Sequence, residues 1–249
     1  MTNLSEFWSD VSIAGHRCRA FEPSVPSLHG YAVLYLHDAD EIDVAANHAL
    51  SSLLEKHGLR CLAPLTGRSW WTDRVWPLFD AEQSTERFVL EPVLNWLREQ
   101  WDVRPPLVAL LGVGMGGQGA LKLSYKHPNV FPICAAIAPT IDYHYALEAG
   151  DQTLNALYRD AEQARQDTAT LHIHPLNWPR HQWFCSDTAD YLSHDGADRL
   201  RMKLYSLGVP YEADLEATAD GDQVCYAERM LEPAMAFIVD RLERERLRV

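Results

Sequence analysis

The run Leu107-Val-Ala-Leu-Leu-Gly112-Val-Gly114-Met-Gly116-Gly117-Gln-Gly119-Ala-Leu-Lys122 constrains the fold of this chain more than any other segment. An apolar stretch of strand length passes through a glycine-crowded turn directly into a helical pattern. The same alternation recurs along most of the chain. Strands are expected at 31–36, 59–63, 107–111, 132–138, 181–186 and 210–215, and helices at 41–57, 82–101, 117–126, 196–207 and 225–246. Gly58 stands where the first of those helices should stop. Strands alternating with helices build a mainly parallel sheet covered on both faces, so the fold class is α/β. Two segments differ. Val11-Ser-Ile13 and residues 17–21, separated by Gly15, read as an antiparallel edge hairpin. Residues 142–180 break the alternation and read as a small cap or insertion within one domain spanning 1–249.

Composition narrows the partners. At 249 residues, 47% apolar and 23% charged, the chain has the length and balance of an ordered globular protein rather than a disordered one. No apolar run is long enough to cross a bilayer, so no membrane partner is expected. Met1-Thr-Asn-Leu-Ser-Glu-Phe-Trp8 lacks the basic-then-apolar build of a secretory signal. Cys18, Cys61, Cys134, Cys185 and Cys225 are odd in number and widely spaced, which fits neither a disulfide framework nor a zinc pair and points to the cytoplasm. A formal charge of −13 opposes nucleic-acid binding. The mixed charges from Arg241 to Val249 read as a solvated helix face. His172-x-His174 is half a metal site with no third ligand at a fixed spacing, so neither metal nor cofactor is expected.

In a sheet of this kind, chemistry sits in the loops beyond the carboxyl ends of the strands. The strand–turn–helix at 107–126 has the layout of a nucleophile elbow, G-x-S-x-G, whose strained turn lifts a serine hydroxyl above the sheet. Here the pattern is Gly112-Val-Gly114-Met-Gly116, and glycine has no atom that attacks a carbonyl. In the chain order nucleophile, acid, histidine, the acid falls after the strand ending near Cys185, where Asp187 and Asp190 both stand. The histidine belongs in the loop 218–223, which contains none.

Gly112-Val-Gly-Met-Gly-Gly-Gln-Gly-Ala-Leu-Lys122, followed by Lys126-His-Pro-Asn-Val-Phe131, resembles the esterase group that includes esterase D and S-formylglutathione hydrolase. That group carries a Ser-Met-Gly-Gly-x-Gly-Ala-Leu elbow and a His-Pro-x-x-Phe stretch. The resemblance runs from about Tyr31 to the C-terminus and includes Ser69-Trp-Trp-Thr-Asp73 and Ala138-Pro-Thr-Ile-Asp142. It implies an α/β-hydrolase fold and a Ser-Asp-His triad whose nucleophile and histidine positions here are Gly114 and Asp222, with Asp187 placed at the acid position and Asp190 as its alternative. The terminal Gly-Gly-His-x-Trp turn of the group is Asp220-Gly-Asp222-Gln-Val224 here, and its His-Gly step after the first central strand is His37-Asp38. By the same resemblance the oxyanion donors are the backbone N–H groups of Ala39 and Met115, and such donors at a helix N-terminus hold a carboxylate or phosphate.

The expected function is therefore an esterase-like protein without its serine and histidine, acting as a non-hydrolytic pocket or interaction protein. Its partners would be a small-molecule ligand and a second copy of itself. His37, Asp38, Trp71 and Asp190 are the pocket candidates, with Trp70 and Trp178 as further aromatic wall. Two other readings stand beside it. One is an active carboxylic-ester hydrolase with a displaced nucleophile, or with water activated by Asp187, Asp190 or Asp222. The other is dinucleotide binding through the G-x-G-x-x-G match at Gly112–Gly117, although the nearest downstream acid, Asp142, comes too late. Cys225 is expected as a small buried thiol at a helix start.

Overall fold

The computed structural model describes residues 4–248. The start of the segment compared with a secretory signal, residues 1–3, and the final Val249 lie outside the described residues.

Two antiparallel strands open the sheet, β1 (Trp8–Ile13) and β2 (His16–Phe21). Their two-residue turn places Ala14 at φ 47 and Gly15 at φ 86, the positive angles that a tight hairpin connection demands. Then come β3 (Ala32–Leu36), α1 (His48–His57) and β4 (Arg60–Pro64). Helix α1 starts at His48, later than the sequence pattern suggests, because Asn47 caps it by accepting the Leu50 N–H at 2.9 Å. Gly58 ends it in the left-handed conformation. The next helical stretch is α2 (Thr85–Phe88), a π-helical turn at Val89–Val93 that accommodates Pro92, and α3 (Leu94–Trp101).

Strand β5 (Val108–Val113) leads through Gly114 into α4 (Met115–Lys126), followed by β6 (Ile133–Ile137). The cap consists of α5 (Tyr143–Glu148), α6 (Gln152–Leu157) and α7 (Ala161–Gln166) with a 3-10 turn at Ala169–Leu171. The chain finishes with β7 (His181–Cys185), α8 (Tyr191–Leu207), β8 (Glu212–Asp214) and α9 (Gln223–Arg246). Helix α8 begins five residues before the apolar pattern suggests, at the cap set by Asp190.

The eight strands form one sheet in the order β1-β2-β4-β3-β5-β6-β7-β8, parallel from β4 to β8. Pairing of Leu36 with Gly112, Val113 with Ile137, Ile137 with Cys185 and Cys185 with Asp214 brings the carboxyl ends of five strands into one row. One face of the sheet packs under α4, α8 and the cap, with Trp71, Phe88, Leu121, Phe131 and Tyr143 fully buried. The other face packs under α1 and α9 through Leu54, Tyr226 and Ile238.

Helix α4 bolts the cap down with side chains one turn apart. Gln118 donates to the Tyr143 hydroxyl at 2.7 Å and accepts the Ala169 N–H, while the Lys122 ammonium lies 2.7 Å from Asp167. The C-terminal charges are not all solvated as their alternation suggests. Glu245 is wholly buried and paired with Arg180 and His181, which ties the end of α9 to β7. No helix among the described residues is long and apolar enough to cross a membrane.

Candidate functional site

Gly114 keeps the elbow conformation without the serine, at φ 54 and ψ −116. The surrounding glycines are required by packing. A Cβ on Gly112 would meet the Gly116 carbonyl oxygen at 2.1 Å, one on Gly116 the Leu36 carbonyl oxygen at 1.9 Å, and one on Gly119 the Trp71 Cβ at 2.5 Å. The motif thus lets α4 press against β3 and β5.

The place of the missing serine side chain is filled. A Cβ on Gly114 would lie 2.3 Å from Cγ and Oδ1 of Asp38 and 2.4 Å from its Oδ2. Asp38 Oδ1 accepts hydrogen bonds from Ala39 N at 2.7 Å and Met115 N at 2.8 Å. Those are the two amides that the resemblance implies as oxyanion donors. A carboxylate there also meets the positive end of the α4 dipole, which has no side-chain cap of its own. An incoming carboxylate or phosphate, the expected occupant, finds the chain's own anion already seated.

His37 holds Asp38 in place. The Thr66 amide can only donate, so His37 Nε2, 3.1 Å away, is the acceptor and the ring proton sits on Nδ1, donating to the Asp38 carbonyl at 2.7 Å. Burial pushes this imidazole below its usual pKa, outweighing the Asp38 carbonyl and Glu41, so it stays neutral. Trp71 donates to the His37 carbonyl and is fully buried. It packs behind the loop and is not part of the wall of the cavity beside Asp38, unlike its expected role; Trp70 is likewise buried.

Between Asp187 and Asp190, the structure gives the inner position to Asp187, which is 2% exposed. Its carboxylate accepts from Thr218 Oγ1 (2.6 Å), Ala189 N (2.8 Å), Ala219 N (2.9 Å) and Gly221 N (3.1 Å). It therefore organises the loop in which a histidine would stand. Burial raises the pKa of Asp187, but these hydrogen bonds prevail and bring it down to about 2. The folded value lies below the unfolded one, so its stabilisation is complete above about pH 4 and disappears as pH falls toward 2. Asp187→Asn is expected to cost about 1.5–3 kcal/mol at neutral pH and much less near pH 2, read from urea melts at the two pH values.

Asp190 and Asp222 are helix caps. Asp190 sits at the start of α8 and accepts from Gln223 Nε2 at 3.0 Å; Asp222 accepts the Cys225 N–H at the start of α9. Cys225 itself is exposed rather than buried. His172 pairs with Asp167, and His174 accepts the Leu176 N–H, so both serve local hydrogen bonding.

A cavity of about 220 Å³ opens beside Asp38, between the loop 37–47 and the first turns of α9. His37, Asp38 and Val113 line it from the sheet side, and Gln223 and Val224 from the helix side. No cap residue contributes, because the cap packs on the opposite face of the sheet.

The sheet order, the elbow turn and the acid at the end of β7 define an α/β-hydrolase fold of the esterase kind. The chain belongs to the Putative esterase family, whose family model matches residues 16–190. Among solved structures it is similar to the S-formylglutathione hydrolase FrmB of Staphylococcus aureus, at TM-score 0.76 and 14% identity, covering 93% of this chain and 98% of that one. MPT51 of Mycobacterium tuberculosis matches at TM-score 0.74 and 17% identity, covering 94% and 98%. An S-formylglutathione hydrolase of Agrobacterium tumefaciens matches at TM-score 0.64 and 18% identity, covering 97% and 94%. At such identities the likeness is one of fold. No curated protein sequence matches the chain.

Proposed function

We propose that this protein is a non-hydrolytic member of its family that keeps a small-molecule pocket. The observation that carries the reading is the Asp38 carboxylate, seated on both implied oxyanion amides and in the space a serine at 114 would need. Gly114 supplies no nucleophile, and Asp222, where the resemblance places the imidazole, is a carboxylate that caps α9. Serine catalysis needs the nucleophile, the base and a vacant hole, and losing any one costs several powers of ten in rate.

The rival readings find less support. Asp187 has its oxygens engaged by four donors and its pKa lowered, the opposite of a general base poised near neutrality. The hydroxyl–imidazole pairs near the strand ends, Thr66 with His37 at 3.3 Å and Ser186 with His194 at 3.1 Å, involve hydroxyl residues only 2% and 0% exposed. Dinucleotide binding needs a free helix N-terminus at Gly114, where Asp38 now sits. A fluorophosphonate probe is expected to leave the protein unlabelled at concentrations that saturate a serine esterase. Stoichiometric labelling, mapped to any residue, would end the non-hydrolytic reading.

A further inference from the structure

We propose that the cavity beside Asp38 binds a small organic cation, a primary alkylammonium group carrying a short apolar body. The inference rests on the non-hydrolytic reading, since it assigns Asp38 to ligand binding rather than to an accident of an emptied site. About 220 Å³ is the space of roughly seven water molecules, so the ligand is small.

The walls separate an apolar body from a charged head. Val44, Val113 and Leu231 form apolar surface inside, and at the mouth stand Ile42 and Val224, 67% and 62% exposed. Branched aliphatic side chains this exposed beside a cavity lower their free energy by covering an apolar ligand.

The charge is of one sign. Asp38, Glu41 and Glu228 line the cavity, and no Lys or Arg does. Among the described residues none of these three meets a Lys or Arg within ion-pair distance. Asp40 and Asp43 on the same loop, by contrast, pair with Arg68 at 3.6 Å and Arg19 at 3.0 Å. Asp38 has one oxygen on the two amides while Oδ2 has no donor among the described residues. His37 adds no positive charge, because burial keeps it neutral and its Nε2 already accepts from Thr66.

Tyr35 points independently to a ligand. It is 9% exposed, lines this cavity, and its hydroxyl makes no hydrogen bond among the described residues. Its ring is packed into the wall while its hydroxyl opens into the cavity without a partner among those residues, so a polar group of a bound ligand is free to engage it. Burial, with the nearby Asp38 charge, raises its pKa, so it remains a neutral hydroxyl whose oxygen accepts an ammonium N–H. An ammonium group with three donors suits the Tyr35 hydroxyl and Asp38 Oδ2 together, where a carboxylate would be repelled by both Asp38 and Glu228.

The test is isothermal titration of the full chain with hexylammonium, 1-hexanol and hexanoate at low salt. Hexylammonium is expected to bind at least about tenfold tighter than hexanol, and hexanoate not at all, as charge-assisted hydrogen bonds outweigh neutral ones. Tyr35→Phe is expected to weaken hexylammonium about fivefold through loss of one acceptor. Glu228→Gln, an exposed change that leaves the core untouched, should weaken it about threefold. Hexanol or hexanoate binding as well as hexylammonium, no heat at millimolar hexylammonium, or unchanged affinity in both variants would each overturn the proposal. Failure of the underlying reading shows differently: fluorophosphonate labelling reports a nucleophile whatever the titration gives, whereas a flat titration of an unlabelled protein refutes the cation site alone.

Discussion

Short aryl esters are expected to be hydrolysed only after three substitutions are made together, Gly114→Ser, Asp222→His and Asp38→Gly. The first supplies the nucleophile and the second the base, but neither touches the carboxylate on Ala39 N and Met115 N. One oxyanion donor is commonly worth a factor of about 10²–10³ in rate. The pair Gly114→Ser with Asp222→His is therefore expected to remain at least about 100-fold below the triple variant. Stability gives a second readout. Serine at 114 must adopt φ 54 and ψ −116, a strain of about 1–3 kcal/mol, and must also displace a carboxylate that lies 2.3 Å from its Cβ. Gly114→Ser alone should thus lower Tm, and adding Asp38→Gly should recover part of that loss. Asp222→His removes a helix cap worth about 1 kcal/mol. Nitrophenol release and thermal melts of the single, double and triple variants decide the matter. A double variant as active as the triple would show that Asp38 swings aside freely and does not block the hole.

The prediction depends on a contact that the sequence hides. Gly114 and Asp38 each stand out as departures from a motif, but they are 76 positions apart. Their meeting follows from the register that pairs Leu36 of β3 with Gly112 of β5. Periodicity reports which residues face a core, not which strand lies beside which. The alternation of apolar runs was enough for the mainly parallel sheet, the edge hairpin at Gly15 and the elbow turn, because each is set by local pattern or by a backbone angle. Helix starts were less legible, since Asn47 and Asp190 cap α1 and α8 at positions the apolar spacing does not mark. Trp71 shows the reverse problem. A tryptophan in a loop near a site suggests a ligand wall, yet its ring is needed to back the His37 turn, with its own Cβ against Gly119. The difference between Asp187 and Asp190 is likewise not local, because only the fold decides which carboxylate turns toward the loop at 218–221.

The buried charges beneath the cap were equally invisible in sequence, and they carry the largest expected loss of stability. Asp167→Ala is expected to cost about 3–5 kcal/mol, because it leaves Lys122 buried without its counter-ion. Lys122 is 0% exposed on α4, with its ammonium 2.7 Å from Asp167 and otherwise over the Tyr143 ring at 5.7 Å. Lys122→Met should be milder, about 1–2 kcal/mol, since Asp167 keeps His172 and Tyr158 as donors and its side chain is 20% exposed. Burial raises the Asp167 pKa, but the His172 hydrogen bond and the Lys122 charge prevail and hold it well below the usual carboxylate range. A depressed folded pKa means that this stabilisation is complete above the unfolded value and is lost as pH falls below about 4. Glu86, raised by burial but lowered on balance by His127 and Lys126, acts in the same direction. In Asp167→Ala the acid-side slope should shrink to the share of Glu86 and the remaining carboxylates. Lys122, already lowered by burial, should then favour its neutral form, so the variant gains stability as pH rises toward 9 while the parent changes little. Urea melts from acid to alkaline pH would show both trends. Equal losses for Asp167→Ala and Lys122→Met, with no alkaline gain in the former, would mean that water reaches the Lys122 ammonium and that the ion pair does not hold the cap.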